Sequence, residues 1–436
     1  MGIALLKKLN TCMPDNLKQM MAPLIRGKLI NNKTYQEQFT ELEKVEMLSQ
    51  EEVKNLQLKK LKETLIHAYE HVPYYHKVFD SCNLNVYEIQ DAEEIKKIPT
   101  ISKQEIIDNF EELQADDIND YYSATTGGST GTPLKVNLDR KSIYKERAFI
   151  YHFWKQHGYN YKSSKLASFR GTDFNGKLYK FNPLYAEIQM NPCEINSKTV
   201  HKYIKKMDQF GVEFLHGFPS AIYSLCKYAK QEGIELKNKY KAVFFISENI
   251  YDFQRQMISD VLGCGTFAFY GHTERAVFAE QIRNGYKFNP IYGYVQIDDD
   301  KSIICTGFVN MKMPLIRYKL DDTAVLYDDL YKIEGHRDGF LYGKNGEIIS
   351  AAMLEVHSVI LDKIANYQFI QTAKGVVDIN ILPFGKLTKE EIESVKLLFQ
   401  EKIGEAILVK VNVVQEMSYT KRGKYKLIIQ KCEDGK

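Results

Sequence analysis

The sequence predicts an α/β large N-terminal domain, with parallel-type sheets and packed helices, followed by a small α+β C-terminal domain. Two stretches predict it. Between residues 242 and 270 an apolar run, an amphipathic helix and a second apolar run alternate as Ala242–Ile246, Tyr251–Leu262 and Thr266–Tyr270. A β-α-β order implies parallel strands with helices packed on them. After about residue 335 the texture changes. Tyr367–Gln371 and Val376–Leu382 read as strands, Thr388–Ile403 as a helix opened by the capping box Thr388-x-x-Glu391, and Ile407–Val414 as another strand. That is roughly 100 residues, enough to fold as a unit. The whole chain has 436 residues, which leaves room for two or three domains.

Taken in order, residues 51–71 come first. They carry Val53, Leu56, Leu58, Leu61, Leu65 and Ala68 at helical spacing, and Pro73 stops that helix. Next is Thr125–Lys135, TTGGSTGTPLK. Gly127, Gly128 and Gly131 allow crowded or left-handed backbone. Such a turn gathers consecutive N–H groups into a concavity suited to phosphate oxygens. Thr126, Ser129, Thr130 and Thr132 add hydroxyls, and Lys135 adds a charge. The plain alternative is a surface linker; Pro133 and the strand-like LKVNL that follows favour a structured loop. Gly127-x-Ser129-x-Gly131 also matches the elbow of serine hydrolases, but that elbow must feed a helix, whereas Pro133–Val136 reads as a strand. Gly171–Lys177 matches only the first part of a P-loop, since Leu178 stands where Ser or Thr would hold magnesium.

Residues 199–209 and 219–232 read as helices, the second with Pro219 at its start. The two strands of the β-α-β run end in polar clusters, Ser247-Glu248 and Gly271-His272-Thr273-Glu274. Ligands of parallel sheets bind at strand carboxyl ends. Each cluster alone reads equally well as a turn. Phe218, Phe244, Phe245 and Phe269 read as core, and His216 as a buried, hydrogen-bonded histidine. The two domains join near Gly335-His336-Arg337-Asp338-Gly339.

Composition narrows the function. Hydrophobic content is 44%, charged content 26% and net charge +3 from 59 basic and 56 acidic residues. That balance calls for neither nucleic acid nor a membrane surface. Apolar runs are far too short for a membrane span, and the N-terminal MGIALLKKLN has too short an apolar core for a signal peptide. Seven scattered cysteines without a C-x-x-C pair read as reduced cytosolic thiols, so the expected location is cytoplasmic. An oligomer is left open.

The order of these motifs resembles the adenylate-forming superfamily, which holds acyl- and aryl-CoA synthetases, amino-acid-adenylating enzymes and luciferases. Its phenylacetate–CoA ligase branch, including capsular-polysaccharide biosynthesis ligases, is the most similar. The resemblance spans nearly the whole chain. It includes His71-Val72-Pro73-Tyr74-Tyr75, Ile98-Pro99-Thr100-Ile101-Ser102-Lys103 and the phosphate loop. Gly217-Phe218-Pro219-Ser220, Ser247-Glu248 and Tyr270-Gly271-His272-Thr273-Glu274 follow, then Ile316–Asp322 and Gly423-Lys424.

The resemblance implies domains at 1–337 and 338–436, the second a small mobile lid hinged near Asp338. It implies that residues 126–135 wrap the β- and γ-phosphates of ATP and that Tyr270 stacks on adenine beside Gly271. His272 belongs to the same nucleotide-binding motif. Glu274 holds Mg²⁺, Thr273 lies near the α-phosphate, Asp322 binds the ribose, and Glu248 lies near adenine and the acyl pocket. Lys424 reaches the substrate carboxylate and the α-phosphate, although locally it is one charge in a basic run with Lys421, Arg422 and Lys426. Three positions depart from the family pattern. Leu320-Asp321-Asp322 replaces Thr-Gly-Asp, leaving Asp321 as an alternative to Asp322. Gly335-His336-Arg337-Asp338 replaces Gly-Arg-x-Asp, so Arg337 or His336 fills the arginine's place. Gly127 stands in place of a hydroxyl residue.

The implied activity is that of an ATP-dependent ligase. It activates a small-molecule carboxylic acid as an acyl adenylate, then passes the acyl group to a thiol such as CoA or to an amine such as an amino sugar. A serine hydrolase built on Ser129 and a catalytically silent nucleotide-binding protein are the alternatives.

Overall fold

The computed structural model describes residues 14–126, 133–171, 174–334, 340–350, 354, 356, 358–420 and 423–432. The chain divides into two compact units, each built from separated stretches. One comprises Met1–Ala22, Ser164–Phe267 and His336–Lys436; the other comprises Pro23–Ser163 and Ala268–Gly335.

In the first unit a sheet runs in the order Ala242–Phe245, Phe214–Gly217, Leu166–Phe169, Glu187–Met190 and Tyr179–Asn182. The first three junctions are parallel and the last is antiparallel. The short strands bury both faces, as parallel strands under helices must. Helix Pro219–Gln231 makes the crossover between Phe214–Gly217 and Ala242–Phe245, with proline at its first position. Helix Asp252–Leu262 follows and ends at Gly263, whose left-handed φ of 65° suits a helix stop. Gly217 closes its strand at φ +144°, and a β-carbon there would stand 2.1 Å from the Phe169 carbonyl oxygen. Only glycine fits so close an approach.

Residues 340–432 add a second sheet to this unit, in the order Leu408–Val413, Val376–Pro383, Ile364–Ala373 and Ile428–Gln430. The central pair is antiparallel and the outer pairs parallel. Helix Lys389–Ile403 opens with the expected Thr388–Glu391 capping box. It sets Val395, Phe399 and Ile403 into one core with Ile364, Phe369, Val377 and Ile379. The segment thus has its own core, yet it also rests on the helix Pro219–Gln231. Lys227 Nζ donates to the Leu361 carbonyl at 3.2 Å, and the Tyr228 and Phe384 rings meet edge to face at 5.2 Å. The expected hinge, 335–339, lies outside the described residues.

The second unit is mainly antiparallel. Its strands include Gly293–Ile297, Ser302–Gly307, Tyr318–Tyr327 and Leu330–Glu334, paired in that order, and Phe278–Ile282 pairs with the end of Gly265–Gly271. A separate hairpin joins Tyr121–Thr125 to Lys135–Asp139. Helix Gln50–His71, capped by Ser49 and Glu52, sends Leu61, Leu65 and Ala68 into a core shared with Ile303, Cys305 and Ile316. Among the described residues no helix is long and apolar enough to cross a membrane.

Candidate functional site

In the second unit, the glycine-rich loop is the tip of the hairpin. The last strand pair is Thr125 with Lys135. Thr126 N–H donates to the Leu134 carbonyl at 2.9 Å, and Leu134 N–H donates to Thr126 Oγ1 at 2.9 Å. Both ends of the loop are therefore pinched together. Gly127, Gly128, Ser129, Thr130, Gly131 and Thr132 lie outside the described residues. The chain leaves the loop into strand Lys135–Asp139, so the helix that a serine-hydrolase elbow requires is replaced by a strand. Lys135 Nζ stands 4.7 Å from the Phe110 ring centre.

The Tyr270–Glu274 cluster is in the same unit. Tyr270 Oη donates to Asp322 Oδ2 at 2.7 Å, and His272 Nε2 lies 3.0 Å from the same oxygen. Burial, then the charges of Asp322 and Glu274, pushes the Tyr270 hydroxyl well above its ordinary range. Strand Tyr318–Tyr327 alternates here: Leu320, Asp322 and Ala324 are buried, while Asp321 is exposed. The pleat therefore selects Asp322 over Asp321 as the acid that faces Tyr270. Tyr318, four residues earlier on that face, donates its hydroxyl to Glu274 Oε1 at 3.5 Å. Glu274 is 6% exposed, and this long bond is its only hydrogen bond among the described residues. A buried carboxylate so thinly satisfied suits a hard cation, which takes oxygen ligands and keeps its own waters. Gly271 and Thr273 are exposed at the turn.

Sequence reasoning missed the anchor of this turn. Arg275 takes a left-handed φ of 58° and donates to Tyr122 Oη at 2.7 Å and to Ser142 Oγ. Tyr122 is on the first hairpin strand, paired with Leu138 away from the loop, so Arg275 ties the Tyr270–Glu274 segment to the hairpin that carries the glycine-rich loop. A buried tyrosine, Tyr292, also donates to Glu146, whose carboxyl burial pushes up despite the Arg275 charge. The one sequence signal was the basic residue directly after Glu274.

Glu248 and Lys424 belong to the first unit, and the fold brings them together. Two residues beyond strand Ala242–Phe245, Ser247 is held at a left-handed φ of 71°, and Glu248 after it meets the start of helix Pro219–Gln231. Ser220 N–H donates to Glu248 Oε2 at 3.2 Å, so the carboxylate satisfies one of the free donors of that helix's first turn. Tyr425 N–H donates to Glu248 Oε1 at 2.9 Å. Burial pushes the Glu248 carboxyl up to about 7, against the pull of the Ser220 and Tyr425 donors and the Lys424 charge. Lys424 sits on a tight turn: its N–H donates to Thr420 Oγ1 at 3.0 Å and its carbonyl accepts from Thr420 N–H at 2.9 Å. Gly423 holds φ +73°, and a β-carbon there would stand 2.9 Å from Cys193 Sγ. The turn therefore approaches the 192–193 segment too closely for any side chain at 423. His216 is buried, with Nδ1 3.0 Å from the Phe244 carbonyl oxygen. Arg337 and His336 lie outside the described residues.

Known proteins resemble this chain in sequence and in fold. Residues 341–431 match the CapK C-terminal domain. Protein CapK of Staphylococcus aureus is 23% identical over 75% of this chain and 75% of its own length. A phenylacetate-coenzyme A ligase of Pseudomonas putida is 21% identical over 69% of this chain and 74% of its own. Among solved structures, 2-hydroxyisobutyryl-CoA ligase in its postadenylation state superposes with a TM-score of 0.66. It is 14% identical, and the match covers 88% of this chain and 90% of that one.

Proposed function

We propose, for a chain that falls in the adenylate-forming superfamily on its phenylacetate–CoA ligase and CapK branch, a two-step ligase acting on a carboxylic acid. The carboxylate attacks the α-phosphorus of ATP, pyrophosphate leaves and an acyl adenylate forms. A thiol or amine then attacks the acyl carbonyl and AMP leaves. The observation that carries this reading is the shared Asp322 oxygen. Tyr270 and His272 both converge on it, and Glu274 lies buried on the same turn. That is the residue set a nucleotide needs: an aromatic face, a ribose acceptor and a metal carboxylate.

Each residue has a role that follows from its chemistry. The hairpin loop, with Thr126 at one end and Lys135 just beyond the other, offers N–H groups and a cation to the β- and γ-phosphates. Asp322 accepts from the ribose hydroxyls once Tyr270 turns to the base. Glu274 is the residue to hold magnesium, which would offset the triphosphate charge. Thr273, exposed on the turn, is available to the α-phosphate. Lys424 neutralises the charge that accumulates as carboxylate and phosphate approach, an effect worth about 3–4 kcal/mol in comparable sites. Positioning and neutralisation supply most of the acceleration in such transfers. Residues 340–432 act as the small domain that presents Lys424 for the first step and withdraws it for the second, turning about the 335–339 segment with Arg337 and Asp338.

The acceptor is CoA or an amine. The phenylacetate-coenzyme A ligase relatives support CoA, and the amine alternative rests on the resemblance to capsular-polysaccharide biosynthesis ligases. The test is pyrophosphate release from ATP and Mg²⁺ against a panel of aryl, fatty and amino acids, repeated on the positives with CoA and with amino sugars. Acid-dependent release supports the ligase. ATP binding without release across the panel refutes it, and covalent labelling of Ser129 by a fluorophosphonate would favour a hydrolase.

A further inference from the structure

Where residues 340–432 rest on residues 164–267, two opposite charges are drawn out of water apart from each other, Lys227 buried and Glu248 half-buried. Lys227, near the end of helix Pro219–Gln231, is 8% exposed. Its ammonium group donates to the Leu361 carbonyl at 3.2 Å and lies 5.4 Å and 5.9 Å from the Tyr223 and Phe384 ring centres. At the start of the same helix Glu248 accepts from Ser220 and Tyr425 backbone N–H groups. Neither makes an ion pair among the described residues. The charges facing them are Asp362 for Lys227 and Lys424 for Glu248, with the Tyr419 hydroxyl near Glu248 as well. Half of each setting comes from the small domain: Leu361, Asp362 and Phe384 around one, Tyr419, Lys424 and Tyr425 around the other.

A charge drawn out of water without an ion-pair partner recovers only part of its lost hydration from backbone dipoles, a hydroxyl or aromatic faces. We propose that Lys227 and Glu248 are release residues: their charges, one buried and one half-buried, hold the docking of residues 340–432 close to balance, so that the small domain lets go between half-reactions. This rests on the two-step reading above, because only an enzyme that uses two arrangements needs a weak seat.

Both groups resist their charged forms in the docked arrangement. Burial lowers the Lys227 ammonium to about 8 and raises the Glu248 carboxyl to about 7. No pH relieves both. Below 7 Lys227 is charged, above 8 Glu248 is charged, and in between both are. Linkage gives the sign for each alone. With Glu248 as the remaining charge, docking favours the protonated carboxyl and weakens as pH rises through 7. With Lys227 as the remaining charge, docking favours the neutral amine and strengthens as pH rises through 8.

The test needs no substrate. Fluorophores introduced as unnatural amino acids at the exposed positions Lys230 and Leu397 report the distance between helices Pro219–Gln231 and Lys389–Ile403 in the full chain. Transfer efficiency is read from pH 5.5 to 9.5 for the unmodified protein, Lys227→Met, Glu248→Gln and the double variant. Each single variant is expected to raise the docked-to-released ratio by tenfold or more, below a ceiling of about 300-fold set by a carboxyl raised from 4.5 to about 7. Docking of Lys227→Met should weaken as pH rises, that of Glu248→Gln should strengthen, and that of the double variant should be tight and flat. Variants that dock no better than the unmodified protein, or that share its pH profile, overturn the proposal. Pyrophosphate exchange by the unmodified protein separates the two ideas. Exchange absent with every acid overturns the ligase reading, and with it the purpose of release, even if the distances respond. Exchange present with unresponsive distances overturns release alone.

Discussion

Replacing Gly217 by alanine tests how the fold sets the site. An alanine β-carbon would stand 2.1 Å from the Phe169 carbonyl oxygen, 2.6 Å from its carbon and 2.8 Å from the Phe169 nitrogen. All three are backbone atoms, so no rotamer relieves the overlap. Relief requires strand Phe214–Gly217 to move from Leu166–Phe169, which costs the Phe218 N–H bond to Phe169 O (2.9 Å) and strains the Ile246 N–H bond to Gly217 O (3.1 Å). Two buried backbone bonds at about 1–3 kcal/mol each, plus about 1 kcal/mol for alanine at positive φ, give a loss of about 4 kcal/mol. Gly233→Ala is the control, since Gly233 also has positive φ (+62°) but nothing within 4 Å of its β-carbon; it should lose about 1 kcal/mol. Urea unfolding of both variants measures the difference, and pyrophosphate exchange reports whether Ser220 and Glu248 have shifted. Equal losses in the two variants would refute the close-approach argument.

Three further outcomes are expected. Glu248 binds its proton more tightly folded than unfolded, so that its contribution is full below pH 4.5 and lost as pH rises through about 7. Glu248→Gln should therefore gain up to about 3 kcal/mol in unfolding free energy at pH 8 and nothing at pH 4; a gain equal at both pH values contradicts this. Asp322→Asn replaces the shared acceptor of Tyr270 and His272 with a single carbonyl oxygen; binding of a fluorescent ATP analogue should weaken about tenfold or more, and unchanged binding would remove Asp322 from the nucleotide site. Gly423→Ala presses a β-carbon against Cys193 Sγ at 2.9 Å. It should slow adenylate formation, and adding Cys193→Ala should recover part of the loss; no recovery would mean the contact does not seat the turn.

Much of the fold was legible because local signals agreed with it. The periodic apolar positions of residues 51–71 became helix Gln50–His71, and Thr388-x-x-Glu391 became a capping box with both hydrogen bonds made. Of the Ala242–Ile246 run, Ala242–Phe245 became a fully buried strand. The short strands Leu166–Phe169, Tyr179–Asn182 and Glu187–Met190 went unread because four residues carry no period of their own; their neighbours in the sheet define them. At the site, residue types were legible but choices between neighbours were not. Asp321 and Asp322 are equivalent in sequence, and only the pleat that buries one of them separates them. Two partners of Glu248 are backbone N–H groups 28 and 177 residues away, which no side-chain pattern records. Contact places residues 336–436 with 164–267, an association between stretches that the linear change of texture near 335 could not reveal.

The role of Lys424 is the most direct test of the account. Acid-dependent exchange of pyrophosphate into ATP should be present in the unmodified protein and fall about 100-fold or more in Lys424→Ala, while transfer from a supplied acyl adenylate stays within a few fold. An exchange rate indifferent to Lys424, or equal losses in both half-reactions, would contradict it.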